Sequence, residues 1–153
     1  MNDQPNELFY EDFYLGQRFR SRGGWKVTAQ KIKEFGERYD PQPFHLDEKA
    51  GENSFFGGLA ASGWLTAAIV MRMRTETIRV VGGMIGAGVE EIRWTEPVRP
   101  GDRIHTETEV IGIRRSKKRS HLGIVTIQTL TLNQRDVVVM RSRVSFLAPV
   151  RVA

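Results

Sequence analysis

The chain has 153 residues, 40% hydrophobic and 27% charged, a balance that suits one folded domain with an ordinary core and excludes a disordered polyelectrolyte. It contains no cysteine, which excludes disulfides, thiolate-bound zinc, iron–sulfur clusters and a cysteine nucleophile, and fits a reducing compartment. The formal charge of +5 suggests a polyanion partner, but Arg114, Arg115, Lys117, Lys118 and Arg119 fall within one short run, and without them the basic count drops to 18, equal to the acidic count.

The opening MNDQPNELFYED is acidic and lacks the basic-then-apolar layout of a secretory signal. Residues 17–27 form a weak candidate strand. The first helix begins at Thr28, an N-cap residue, with Val27 placed to pack on Ile32; Ile32, Phe35 and Tyr39 then share one face, and Pro41 ends the helix. In DPQPFH, residues 40–45, two prolines exclude a regular helix and predict an ordered, irregular segment. Asp47 and Glu48 then open a short helix toward Ala50, and residues 54–58 read as a loop.

Residues 59–74 are apolar on nearly every face, the pattern of a central helix covered on all sides, with Arg72 and Arg74 complementing its negative end. Its apolar run is too short to span a bilayer, which needs roughly 20 residues, so a membrane is not expected as a partner and a cytoplasmic protein is. After a glycine-rich connection at residues 81–88 the period changes to two, predicting strands at 89–94, 103–113, 121–132 and 137–147. Their short connections imply antiparallel pairing. Without repeats or linkers, residues 1–153 read as one α+β domain, a curved antiparallel sheet wrapped around the long helix.

Chemistry concentrates near His45. His105 and His121 sit in alternating strand patterns, and no histidine or carboxylate spacing suggests a metal site. Gly82-Gly83 and Gly86-Ala87-Gly88 lack the remaining residues of a phosphate or dinucleotide loop. Asp40 and His45 lie on a segment stiffened by Pro41 and Pro43, where a carboxylate and an imidazole can share a water and move protons; equally, Asp40 can cap a turn and His45 can pack at a loop edge. Trp25, Trp64 and Trp94 suit core or pocket walls, and none adjoins the basic run, so nucleic acid is not expected as a partner.

Residues 39–47 (YDPQPFHLD) and 56–64 (FGGLAASGW), with Tyr10-Glu11-Asp12 and Pro97-Val98-Arg99-Pro100-Gly101-Asp102, resemble the MaoC-like dehydratases, the group that includes the (R)-specific enoyl-CoA hydratases. The resemblance covers nearly the whole chain. It implies a hotdog fold, a homodimer or higher homo-oligomer, and water addition to or removal from a coenzyme A thioester, with no cofactor beyond the coenzyme A of the substrate; the alternative is a non-catalytic acyl-CoA-binding or regulatory module, or a thioesterase, on the same fold. Asp40 and His45 would be catalytic, Gly63 would offer its N–H to the thioester oxygen, and Ser62 would shape the pocket. Serine is also a common helix N-cap, a purely structural role. Arg114, Arg115, Lys117, Lys118 and Arg119 would then either hold the phosphates of coenzyme A or form a solvated hairpin tip. Gln42 stands where the family motif has Asn, and Tyr39 where Gly often precedes the Asp; both departures bear on the room left for the acyl chain.

Overall fold

A computed structural model describes residues 6–152. A 3₁₀ turn at Tyr10–Asp12 leads to β1 (Arg18–Arg20) and β2 (Trp25–Lys26), then to α1 (Ala29–Tyr39), α2 (Pro43–Leu46), α3 (Glu48–Glu52) and α4 (Gly63–Thr77). Four long strands follow: β3 (Ile85–Trp94), β4 (Arg103–Arg115), β5 (Leu122–Leu132) and β6 (Val138–Pro149). All pairings are antiparallel, in the order β1-β4-β5-β6-β3 with β2 also on β4. The sheet wraps α4, which is the α+β hotdog arrangement that the sequence resemblance implies.

Strand periodicity places the core. Along β5, Val125, Ile127, Thr129 and Thr131 are buried while their neighbours are only partly covered, as a pleat with one face on a core requires. Two apolar clusters lie along α4. Ile32, Leu65, Ile69, Ile104 and Met140 meet near its N-terminal half, and Phe13, Ile78, Val110, Ile127 and Phe146 beyond its C-terminal end. Among the described residues no helix is long and apolar enough to cross a membrane.

The elements differ from the sequence expectations in instructive places. Residues 17–27 give two short strands because the chain turns between them, with Gly23 at a φ of +63°. DPQPFH is not helix-free: Pro43 starts α2, since a proline needs no N–H at the first helical position and its ring already has the right φ. The central helix begins at Gly63, because residues 59–62 are held extended by bonds to Phe44 and Val98. β3 starts at Ile85, so Gly86 and Gly88 belong to the strand, paired with Phe146 and Ser145 through an irregular register.

α4 is not covered on all sides. Trp64 is 59% and Met71 47% exposed, on a flank that also faces the unpaired edge of β3. Arg72 stays outside and pairs with Glu76 at 2.6 Å, whereas Arg74 turns inward and is buried.

Candidate active site

The local sequence dictates where Asp40 and His45 point. α1 starts at Thr28, whose hydroxyl accepts from the Lys31 N–H at 3.2 Å, and ends at Asp40, whose N–H donates to the Gly36 carbonyl before Pro41 diverts the chain. Gly36 lets α2 pack against α1. A methyl group on Gly36 would lie 3.1 Å from His45 Cβ and from the Leu46 side chain, and the absence of one brings α2 close enough to place His45 beside Asp40.

His45 is buried at 5% exposure. Its Nδ1 lies 2.6 Å from the Ala60 carbonyl, and a carbonyl oxygen only accepts, which assigns a hydrogen to Nδ1. Nε2 is left facing Asp40 Oδ2 at 3.3 Å. The same Oδ2 accepts the Ser62 hydroxyl at 2.7 Å, and Ser62 Oγ accepts the Trp64 N–H at 3.3 Å as N-cap of α4. Ser62 therefore ties the carboxylate to the N-terminal end of the central helix. Ser62 is fully buried and does not border the cavity.

That cavity measures about 520 Å³, and Asp40, His45, Gly63, Trp64, Trp94 and Arg99 are among the residues lining it. The Gly63 N–H meets no acceptor among the described residues, as expected for the first turn of a helix. The space beside its Cα is occupied by protein: a Cβ there would lie 2.4 Å from Trp94 Cε2, and the indole N–H donates to the Gly63 carbonyl at 2.8 Å. Glycine is required here by Trp94, a reason the sequence could not supply.

A carboxylate–imidazole pair, a helix N-terminal amide and an aromatic wall share one cavity on a hotdog frame. Residues 12–133 match the MaoC like domain. The chain belongs to that family. A solved MaoC-like dehydratase from Rhodospirillum rubrum is 50% identical and superposes with a TM-score of 0.90, covering 95% of this chain and 99% of that one. The uncharacterized protein YdeM of Bacillus subtilis is 34% identical over 139 residues, 90% of this chain and 96% of that protein. 3-Hydroxyacyl-thioester dehydratase Z of Mycobacterium tuberculosis is 26% identical over 90 residues, 57% of this chain and 60% of that protein.

Within this MaoC-like chain the structure brings Asp40, His45, Ser62 and Gly63 together and leaves the basic run apart. Arg114 and Arg115 end β4 at the edge opposite Arg103, roughly 40 Å along the strand from the cavity end, where Arg115 lies over Tyr10 and 3.7 Å from Glu11. Gln42 and Tyr39 are exposed and border no part of the cavity, so the departures from the family motif leave its walls unchanged.

Arg99 is the functional residue that sequence reasoning missed. Its guanidinium donates to the carbonyls of Phe56 and Leu59, and its N–H donates to Asp102 at 2.8 Å. It thereby fixes the loop that carries Phe55 and Phe56 over the cavity. Its position within PVRPGD, between two prolines and before an acidic partner, was the available signal.

Proposed function

We propose that the protein adds water to 2-enoyl-CoA thioesters, or removes it from 3-hydroxyacyl-CoA, as a cytoplasmic homodimer. The observation that carries this reading is the convergence of Asp40, His45 and the unpartnered Gly63 N–H on one cavity, with His45 Nε2 and Asp40 Oδ2 3.3 Å apart. A water held by both groups gives a proton to Nε2 as its oxygen forms the bond to C3. The imidazolium so formed faces the Asp40 carboxylate, then gives its proton to C2, so the elements of one water end on the product. Charge that develops on the thioester oxygen is met by the Gly63 amide, at the helix end where the dipole is positive.

The test is turnover of a panel of 2-enoyl-CoA and 3-hydroxyacyl-CoA compounds, with product configuration read by chiral chromatography. Asp40→Asn and His45→Ala are each expected to lose about a hundredfold or more in rate while remaining folded. Rates near wild type in both variants would remove the mechanism. Release of free thiol without hydration would make the protein a thioesterase.

A further inference from the structure

Thr66 carries a hydroxyl that its own helix does not use. Thr75 and Thr77, also on α4, donate to the carbonyls of Arg72 and Met73, the usual resort of a helical threonine. The carbonyl that Thr66 would bond in this way, that of Ser62, already accepts the N–H groups of Leu65 and Thr66 at 3.0 and 3.2 Å. The Thr66 hydroxyl makes no hydrogen bond among the described residues, although the residue is only 2% exposed. Thr131 and Ser142 also hold unpartnered hydroxyls, but theirs are sealed inside the sheet. Thr66 instead borders the cavity that Asp40, His45 and Gly63 line. A polar group kept from water without a partner is costly, so this one is set to pair with whatever fills the cavity.

The lining residues divide by exposure. Phe55 and Trp64 stand out in solvent, whereas His45, Ala61, Thr66 and Val98 are buried. The nucleotide of coenzyme A is too large for a cavity of about 520 Å³ and has to lie outside, so the buried part receives the acyl group. Thr66 follows Ser62 by one turn, about 6 Å along α4, and the Ser62 hydroxyl bonds Asp40 Oδ2 at 2.7 Å. Helical side chains lean toward the N-terminus, which aims the Thr66 hydroxyl back toward the Asp40 end of the cavity. The Gly63 N–H points off the helix end, away from Thr66, so the two donors meet different atoms of one substrate. With C3 held at Asp40 and His45, Thr66 meets the chain two or three carbons further on.

We propose that Thr66 donates a hydrogen bond to an oxygen carried on the acyl chain at C5 or C6, so that acyl thioesters oxygenated there are preferred over alkyl ones of the same shape. This deepens the hydratase reading and rests on it for the position of C3. An alkyl chain shuts the hydroxyl away from water with no acceptor, whereas a chain oxygen answers it; discrimination comes chiefly from the penalty on the wrong chain.

Saturated thioesters are not turned over, and their binding separates this inference from the chemistry. By titration calorimetry, 5-oxohexanoyl-CoA or 6-oxoheptanoyl-CoA is expected to bind wild type about fivefold or more tightly than its counterpart, 5-methylhexanoyl-CoA or 6-methylheptanoyl-CoA, in which a methyl replaces the oxygen. In Thr66→Val, where a methyl replaces the hydroxyl, the affinities within each pair become equal. Thr66→Ser keeps the hydroxyl and retains the preference. Equal affinities within both pairs in the wild-type protein overturn the proposal without any variant, as does a preference that persists in Thr66→Val. Hydration of 2-hexenoyl-CoA with no preference for an oxo group removes the Thr66 contact alone. An oxo preference that is lost in Thr66→Val, in a protein that hydrates no enoyl-CoA, supports the contact and removes the hydratase reading.

Discussion

Replacing Gly63 by alanine tests the claim that Trp94, packed on the helix start, dictates the glycine. The new methyl would lie 2.4 Å from Cε2 and 2.6 Å from Nε1 of the indole, well inside ordinary contact, so Trp94 has to move by about 1 Å or more. That motion breaks the 2.8 Å bond from the indole N–H to the Gly63 carbonyl. The lost bond costs about 1 kcal/mol and the overpacking about 1–3 kcal/mol, while the better helix propensity of alanine returns up to about 1 kcal/mol. The net expectation is a loss of about 2 kcal/mol, a fall in Tm of roughly 4–8 °C. Because Trp94 forms part of the cavity wall beside the dyad, kcat/KM on a short enoyl-CoA is expected to fall about tenfold or more. Urea melts, tryptophan fluorescence and steady-state kinetics read these quantities. The double variant Gly63→Ala/Trp94→Ala decides the cause: it should be no less stable than Trp94→Ala alone, since the collision is gone. Full additivity of the two losses, or a Gly63→Ala protein with native stability and native fluorescence, would refute the reasoning.

Three further outcomes follow from the same geometry. Arg74→Met should stabilise the protein at neutral pH by a few kcal/mol, because burial of the charge lowers the folded-state pKa to about 10, below the unfolded value; wild-type stability then rises as pH passes above about 10, and denaturant melts of the variant should lack that rise. Arg99→Met releases the Phe56 and Leu59 carbonyls and is expected to cost about 1–2 kcal/mol and to speed proteolysis in the loop around Phe56, measured by limited digestion. Ser62→Ala removes both the N-cap and the bond to Asp40, with an expected loss of about 1 kcal/mol by thermal melt and a lower kcat at little-changed KM.

Local signals carried the secondary structure where short-range physics decides it. Thr28 before an apolar period, Pro41 after it and the alternation in β4 to β6 needed no knowledge of distant residues. Long-range contacts settled the rest. Pro43 is a helix starter only because Gly36 gives α2 a surface to lie on, and the glycines of β3 are strand residues because β6 pairs with them. Arg74 at the end of an apolar helix reads as a dipole partner, and its inward turn depends on β3 and β6 opening a cavity there. At the site, the Asp40 and His45 spacing was visible. Their convergence depends on Ser62, 22 residues beyond Asp40, and Ala60, 15 residues beyond His45.

Two bonds clip the α2 segment to the strand-like approach to α4: Ala60 N–H donates to Phe44, and His45 Nδ1–H donates to Ala60. Ala61 N–H, bonded to Val98, extends the clip to the chain between β3 and β4. The loop bearing Phe55, 99% exposed, and Phe56 is held to this frame by Arg99 and by the Phe56 ring, whose centroid lies 5.0 Å from that of Phe44 and 6.4 Å from the His45 imidazole. Phe56 therefore couples the cavity wall to the imidazole, whereas Phe55, in ring contact with Phe56 and otherwise exposed, is the position where the wall can change with least effect on His45.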